Sequence, residues 1–186
     1  MTACSIEYYR WYDPSTYAFL GTYHQVMART RTVTGAGIIA TAALVLIFGN
    51  QPFTEWVYRH TSEDTAWGWF LRVLCWPHWA FGPVDGSSGA MRRLLADDLR
   101  ALLLILFVAV ILGVVSKAVT GGAGGFLLGW SALIFASALA AFLTAFIIAN
   151  PTFIGALKAA HAGSAYGLFV GWIVGAATGT AKGAGS

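Results

Sequence analysis

The sequence predicts an all-α integral membrane protein with four transmembrane helices and short interfacial helices. Three observations predict this fold class. Only 10% of the 186 residues are charged, whereas about 25% are charged in a typical soluble domain. Hydrophobic residues make up 58% of the chain, and they are concentrated in four long runs. So few charges cannot cover a surface that faces water, and we therefore expect the solvent to be a lipid bilayer.

The charged residues are unevenly distributed. All eight acidic residues precede residue 99, and from residue 101 onward the only charges are Lys117, Lys158 and Lys182. The net charge of +3 therefore belongs to the C-terminal half and does not form a basic face, which argues against nucleic-acid binding. No carboxylate, histidine or arginine lies in the middle of an apolar run, which argues against an intramembrane proton relay.

The four apolar runs are the predicted transmembrane helices, at residues 34–50, 99–118, 124–149 and 163–182. The first run is at the short end of what a bilayer requires. Asn150 and Pro151 end the third run, because proline disfavours helix in the residue before it. The glycine-rich residues 120–125 are expected to form a tight hairpin between the second and third spans. Lys158 and His161 are expected in a loop before the fourth.

Residues 1–33 are predicted to form an interfacial aromatic segment. Asp13 and Pro14 are typical of a helix start, with aspartate as the N-cap and proline at the first helical position. Tyr17 and Tyr23 fall roughly on one side of the helix that follows. Tyrosine suits the headgroup layer because its ring is apolar and its hydroxyl is polar. An amphipathic helix packed on a partner protein is an equal alternative.

Residues 51–98 are the sizeable extramembrane segment, and they are rich in tryptophan. This density predicts either anchoring at the membrane interface or contact with a partner protein. The residues expected to make these contacts are Trp67, Trp69, Trp76 and Trp79.

The end of this segment is predicted to be a short amphipathic helix that runs into the second span. Arg92, Arg93 and Arg100 can pair there with Asp97 and Asp98. We expect these charges to form a solvated face at the membrane boundary.

Glycine recurs at every fourth position of the last apolar run. In lipid, helices associate by close packing, which small residues permit. At 3.6 residues per turn each step of four residues drifts by about 40°, so five steps carry the stripe about 200° around the helix. One straight partner then contacts about three glycines, and the fourth span is predicted to be held from two sides. We call these residues the glycine stripe: Gly163, Gly167, Gly171, Gly175, Gly179 and Gly183.

The third span offers a complementary surface of small residues. Ala132, Ala136, Ala140 and Thr144 form one row at four-residue spacing, and a second row begins at Ser137. The third and fourth spans are therefore predicted to pack together. Two small rows and a winding stripe exceed the needs of one hairpin, and this surplus predicts oligomerisation or burial in a larger complex.

The sequence predicts no catalytic, cofactor-binding or metal-binding set, and it leaves the cofactor unknown. Cys75 lies three residues before His78, and such a pair could supply two ligands of a metal site. The sequence has no second pair of cysteine or histidine residues at ligand spacing. A tryptophan-rich interfacial loop explains both residues equally well. The two cysteines, Cys4 and Cys75, do not make a disulfide framework.

The leading functional hypothesis is a non-enzymatic membrane subunit. It packs through glycine and alanine helix faces into a homo-oligomer or a larger membrane complex, of the secretion, conjugation, respiratory or light-harvesting type. The predicted partners are the lipid bilayer and other membrane subunits or copies of the chain. Arg29 and Arg31 precede the first span and favour a cytoplasmic N-terminus, whereas the four arginines of residues 51–98 (Arg59, Arg72, Arg92 and Arg93) argue for the opposite orientation. The expected location is a bacterial cytoplasmic membrane with both termini cytoplasmic.

Two alternatives remain open at this point. The first is a homo-oligomeric pore or channel, whose polar lining would include Ser164, Thr178 and Thr180. The second is a membrane enzyme subunit that carries a cofactor or metal, with the histidines as the available ligands. Those ligands would be His24, His60 or His78.

Overall fold

The computed structural model describes residues 32–82, 87–147 and 152–184. Within these ranges the regular elements are α-helices, and the extended pairing is limited to one isolated bridge between Asn50 and Trp79. The predicted interfacial segment, with Tyr17, Tyr23 and His24, lies outside the described residues, so its interfacial role remains a prediction.

Six helices are present in the described part of the chain. Polar side chains begin several of them: Asn50 Oδ1 accepts from the Phe53 N–H at 2.8 Å, and Ser87 Oγ accepts from the Ala90 N–H at 3.1 Å. Such caps satisfy backbone donors that a helix leaves unpaired at its first turn. The helices are α1 (Val33–Phe48), α2 (Gln51–His60), α3 (Ala66–Leu74), α4 (Ser88–Val115), α5 (Gly121–Ala145) and α6 (Phe153–Gly183).

Two of the described helices, α4 from Gly89 onward and α5, are long and apolar enough to cross a membrane. With 28 and 25 residues, they measure about 42 Å and 38 Å at a rise of 1.5 Å per residue, more than the hydrocarbon core of about 30 Å. The apolar α1 has only 16 residues. Length and composition thus indicate a membrane location, and spanning by α1 and α6 remains a prediction.

Helices α5 and α6 begin earlier in the sequence than the spans predicted for them. Residues 121–125 belong to α5, because Gly121 adopts φ 71° and starts the helix directly after a turn at residues 116–120. The expected hairpin at residues 120–125 is therefore wrong.

At α6 the helix begins ten residues before the predicted span, with Thr152 as its N-cap. Lys158 and His161 consequently lie on a helix, and their placement in a loop is wrong.

The four longest helices alternate in direction. Near the start of α1, Gly37 lies against Leu112 at the end of α4 and Thr178 at the end of α6. At the opposite end of the bundle, Arg100 of α4 reaches Thr144 of α5. Thus α1 and α5 run one way, and α4 and α6 run the other. The short helices α2 and α3 and the segment 75–82 lie where α1 and α5 finish, and we call this the α2–α3 end.

Large aliphatic side chains fill the space between the long helices. The buried hydroxyls among them donate to their own helix: Thr41 to the Gly37 carbonyl at 2.8 Å and Ser137 to the Leu133 carbonyl at 2.7 Å. Because of these hydrogen bonds, the buried hydroxyl groups are not left unsatisfied in the apolar core. The core includes the fully buried Leu104, Val108, Leu112, Leu133, Val170 and Val174.

The outer face of α4 carries a continuous exposed stripe of large apolar residues. The stripe consists of Leu102, Leu106, Val110 and Val114, each more than half exposed. Contiguous exposed apolar surface is unfavourable in water and marks contact with lipid or with another protein. This face therefore fits a helix that lies against acyl chains.

Candidate functional site

Five of the six glycines in the stripe lie directly against α5. A β-carbon at Gly175 would lie 2.7 Å from the Phe126 carbonyl oxygen, and one at Gly179 would lie 2.9 Å from the Gly122 carbonyl oxygen. Real side chains do not tolerate such distances, so only hydrogen fits at these positions. The same holds for Gly163, Gly167 and Gly171, which lie against Ser137, Ile134 and Trp130.

Within the described residues the nearest contacts of the stripe are all with one neighbour, α5, whereas α6 as a whole is held from two sides, as predicted, because α1 also packs against it. The contacts of the stripe on α5 run along one row, from Gly122 to Ser137, whose steps are also three or four residues. A repeat longer than 3.6 residues winds in the right-handed sense, so two such rows stay together when the helices coil about each other. Helix α1 approaches α6 at Thr178, outside the stripe, where its Gly37 lies close.

Sequence reasoning missed two glycines of α5 that make this contact possible. Thr178 Oγ1 donates to the Gly125 carbonyl at 2.7 Å, and a β-carbon at Gly129 would lie 2.9 Å from the Val174 carbonyl oxygen. Gly121, Gly125 and Gly129 recur at four-residue spacing, which could have predicted a second packing face. Assigning residues 120–125 to a hairpin prevented this prediction. Because Thr178 is buried in this contact, it does not line a conduit in this chain.

The small residues of α5 are covered within the single chain. Ala132, Ala136 and Ala140 have no exposed surface. In the same row Arg100 Nε of α4 lies 3.5 Å from Thr144 Oγ1. Most of the small-residue surface that the structure describes is therefore used within the chain, although Gly183 is exposed, and oligomerisation remains a prediction.

A network of charges at the α2–α3 end centres on Asp97. Arg100 Nη2 lies 3.1 Å from Asp97 Oδ1, and His78 Nε2 lies 2.9 Å from Asp97 Oδ2. The Asp97 and Arg100 side chains are only 18% and 16% exposed, so the expected solvated face is wrong for this pair. The segment 75–82 folds over this side of α4 and covers most of the Asp97–Arg100 pair. Arg92 and Arg93, by contrast, are exposed.

Aromatic rings hold the segment 75–82 against the bundle. The Arg100 guanidinium carbon lies 5.2 Å from the centre of the Trp76 ring, within cation–π range. Trp76 stacks at 5.1 Å on the buried ring of Tyr166 in α6. Trp79 Nε1 donates to the Val45 carbonyl at 3.1 Å. Trp76 and Trp79 thus make contacts inside the chain, unlike the partner contacts predicted for them.

The other two predicted contact residues lie farther out. Trp69 packs edge-on against Phe169 of α6, with ring centres 4.8 Å apart, and remains partly exposed. Trp67 is 66% exposed, and on α2 Trp56 and Tyr58 are also at least half exposed. Because Trp56 and Tyr58 are two residues apart, their side chains point about 200° from each other around the helix. We call Trp56, Tyr58 and Trp67 the aromatic surface.

A cavity of about 470 Å³ opens beside the Asp97 network, and we call it the polar cavity because seven polar side chains line it, although most of its surface is apolar. An apolar groove of about 290 Å³ adjoins it, and Trp79 and Ala80 line both. The cavity lies between the start of α2, the segment 78–82 and the first turns of α4. Its polar side chains belong to Gln51, Thr54, Glu55, His78, Ser87, Arg93 and Asp97.

Cys75 is buried, and it does not share a metal site with His78. Burial raises the pKa of the Cys75 thiol, and the nearby Thr54 hydroxyl opposes this only in part. His78 pairs with Asp97 instead, and the His60 ring bonds to the Trp56 carbonyl at 2.9 Å. Within the described ranges no three His, Cys, Asp or Glu side chains lie close enough together to hold a metal ion.

In a Cys4→Ser background, Cys75 is expected to react with a maleimide at least about tenfold more slowly at neutral pH than an exposed cysteine. Only the thiolate attacks, and a raised pKa lowers the thiolate fraction at neutral pH, so the rate should climb as pH increases. Labelling followed by intact mass measures the rate. The control is the exposed position of Ser62, changed to cysteine in a chain that also carries Cys75→Ser. Equal rates for the two thiols would show that Cys75 is accessible.

Within its described residues the chain is an all-helical protein with two helices long and apolar enough to cross a membrane. Comparison with protein-family models, with curated proteins and with solved structures gives no match. Inferences about function therefore rest on the chain's own surfaces and contacts.

Proposed function

We propose that the chain is a non-enzymatic membrane subunit that joins other membrane proteins through the aromatic surface at its α2–α3 end. The supporting observation is that Trp56, Tyr58 and Trp67 project large rings outward from two short helices that a polar loop connects. Tryptophan and tyrosine are enriched among the residues that dominate binding energy at protein interfaces. Contact with lipid headgroups is the other use of such rings.

The interior of the bundle supports a structural role. The glycine stripe and the alanine row are used in packing α6 and α4 onto α5. Its buried hydroxyls are bonded to backbone carbonyls, as Thr178 is to Gly125. A core built in this way fixes the relative positions of the helices and presents the α2–α3 end as a rigid platform.

In this proposal the end of the bundle opposite α2 and α3 faces the cytoplasm of a bacterial cell, with both chain termini. Lys117 and Lys182 lie at that end, and Lys182 Nζ donates to the Ser116 carbonyl at 3.2 Å. Basic residues next to spans favour the cytoplasmic side, and these two lysines support this orientation, whereas Arg59, Arg72, Arg92 and Arg93 at the α2–α3 end oppose it.

The test measures the mass and composition of the particle extracted in a mild detergent. The proposal predicts a particle with other membrane chains bound to the 19.8 kDa chain. The double variant Trp56→Ser/Trp67→Ser should lower the bound fraction about tenfold or more, because interface tryptophans commonly contribute at least 2 kcal/mol.

The matched control is Trp172→Ser, which changes a tryptophan of the same exposure as Trp56 on the outer face of α6. This variant should keep the complex. A monomer of unchanged fold in the wild type would overturn the proposal. So would equal losses in the two variants, which would indicate a general contribution of surface tryptophan.

A further inference from the structure

The polar cavity and the apolar groove form one continuous surface. The apolar lining of the groove comes from Val45 and Leu46 of α1, from Phe81, and from Ala101, Leu102 and Ile105 of α4. The Asp98 carboxylate also lines the groove; it accepts from the Ala80 N–H at 3.1 Å and has no cationic partner within the described ranges. Trp79 and Ala80 stand at the junction, where the polar lining gives way to apolar residues. A ligand that fills both parts must have a polar group attached to a hydrocarbon chain.

The charges around the cavity indicate which polar group fits. Glu55 is paired with Arg59 at 3.3 Å, and Asp97 is paired with His78 and Arg100. Arg93 lines the cavity, and no carboxylate within the described ranges pairs with it. An arginine side chain binds phosphate well because its planar fork donates two parallel hydrogen bonds.

The first turn of α4 adds to this preference. Gly89 and Ala90 line the same cavity, and α4 is a 28-residue helix. The start of a helix carries a partial positive charge that favours an anion. Both Arg93 and this turn therefore favour a negatively charged group in the cavity.

We infer that the cavity and groove bind one phospholipid of the surrounding bilayer. Its phosphate lies at Arg93, and one acyl chain lies in the groove between α1 and α4. The groove is formed by helix faces that carry the chain's apolar runs, so an acyl chain reaches it from the bilayer without crossing water. The bound lipid closes the gap between α1 and α4 at the α2–α3 end.

Native mass spectrometry of the full chain in detergent tests this inference. The probes are dioleoyl phosphatidylglycerol, dioleoylglycerol (the same chains without phosphate) and inorganic phosphate. Wild type should retain phosphatidylglycerol at concentrations where the other two leave no adduct. Arg93→Gln should weaken phosphatidylglycerol binding about tenfold, because hydrogen bonds to charged groups contribute about 1.5–3 kcal/mol. Arg92→Gln, an exposed neighbour outside the cavity lining, should leave binding unchanged.

A second pair of variants tests the groove. Leu102→Trp places a larger side chain in the groove from an exposed position, and Leu106→Trp places it one turn along the same outer face, outside the groove lining. Only Leu102→Trp should weaken binding. Equal binding of dioleoylglycerol and phosphatidylglycerol would overturn the inference, as would equal binding by wild type and Arg93→Gln. Lack of any lipid adduct on wild type would mean that another segment or protein covers the site, and this too would overturn it.

Discussion

Replacing Gly167 with alanine is expected to lower the free energy of unfolding by about 3 kcal/mol, at the upper end of the usual cost of overpacking. A β-carbon at this position would lie 2.7 Å from the backbone nitrogen of Ile134 and closer still to its α-carbon. Backbone atoms cannot rotate away as a side chain can, so α5 and α6 must separate. Unfolding in detergent, followed by circular dichroism or tryptophan fluorescence, measures the loss.

Two other glycines provide matched controls. A β-carbon at Gly183, in the same stripe, would meet only the Gly122 α-carbon at 3.9 Å, and one at Gly113 on α4 would meet nothing within 4 Å. Both alanine variants should be as stable as the wild type. Gly113→Ala should even gain up to about 1 kcal/mol, because alanine is the better helix former. Losses as large as that of Gly167→Ala would contradict close packing as the role of the stripe.

Asp97→Asn is expected to destabilise the protein by about 1.5–3 kcal/mol, the range for hydrogen bonds to charged groups, because the Asp97–Arg100 pair is mostly but not fully buried. The substitution leaves the Arg100 guanidinium, whose side chain is 16% exposed, without its carboxylate. It also leaves one side-chain oxygen in place of the two that His78 and Arg100 each contact, so one of the two contacts loses its acceptor. The same unfolding measurement in detergent, at one pH and salt concentration, gives the difference.

A double variant separates the lost ion pair from other effects of the substitution. Asp97→Asn/Arg100→Met removes the stranded charge and keeps an apolar side chain of similar length, so it should recover much of the loss. Glu55→Gln removes the exposed pair with Arg59, whose side chains are 48% and 75% exposed, and should cost less than about 1 kcal/mol. If Asp97→Asn costs no more than Glu55→Gln, the network is as weak as an ordinary surface pair.

The glycine stripe shows which features of helix packing can be predicted from sequence periodicity and which cannot. Six glycines at four-residue spacing predict a helix face that a neighbour can approach closely, because the pattern depends only on the geometry of one helix. The pattern does not predict which helix packs against this face, or how the two packed helices coil about each other. Those depend on the matching row from Gly122 to Ser137, whose first residue falls in the glycine-rich stretch that suggested a turn.

The burial of the Asp97 network and its contact with His78 could not be predicted from the sequence. Asp97 and Arg100 are close in the sequence and could be paired on one helix, but their burial could not be foreseen. It depends on the segment 75–82, which the Ala80 N–H fixes to Asp98 Oδ1 at 3.1 Å and the Trp79 N–H fixes to the Gly49 carbonyl at 2.8 Å. His78 reaches Asp97 only because the chain folds back there.

By itself the sequence determined the helical class and the apolar character that suits a bilayer, because both follow from composition and from short-range periodicity. Only the tertiary structure decided which surfaces remain available. It buried the small-residue faces within one chain, turned Trp76 and Trp79 inward, and placed Arg93 beside an apolar groove. Exposure is a property of the packed helices together, and residues distant in the chain determine it.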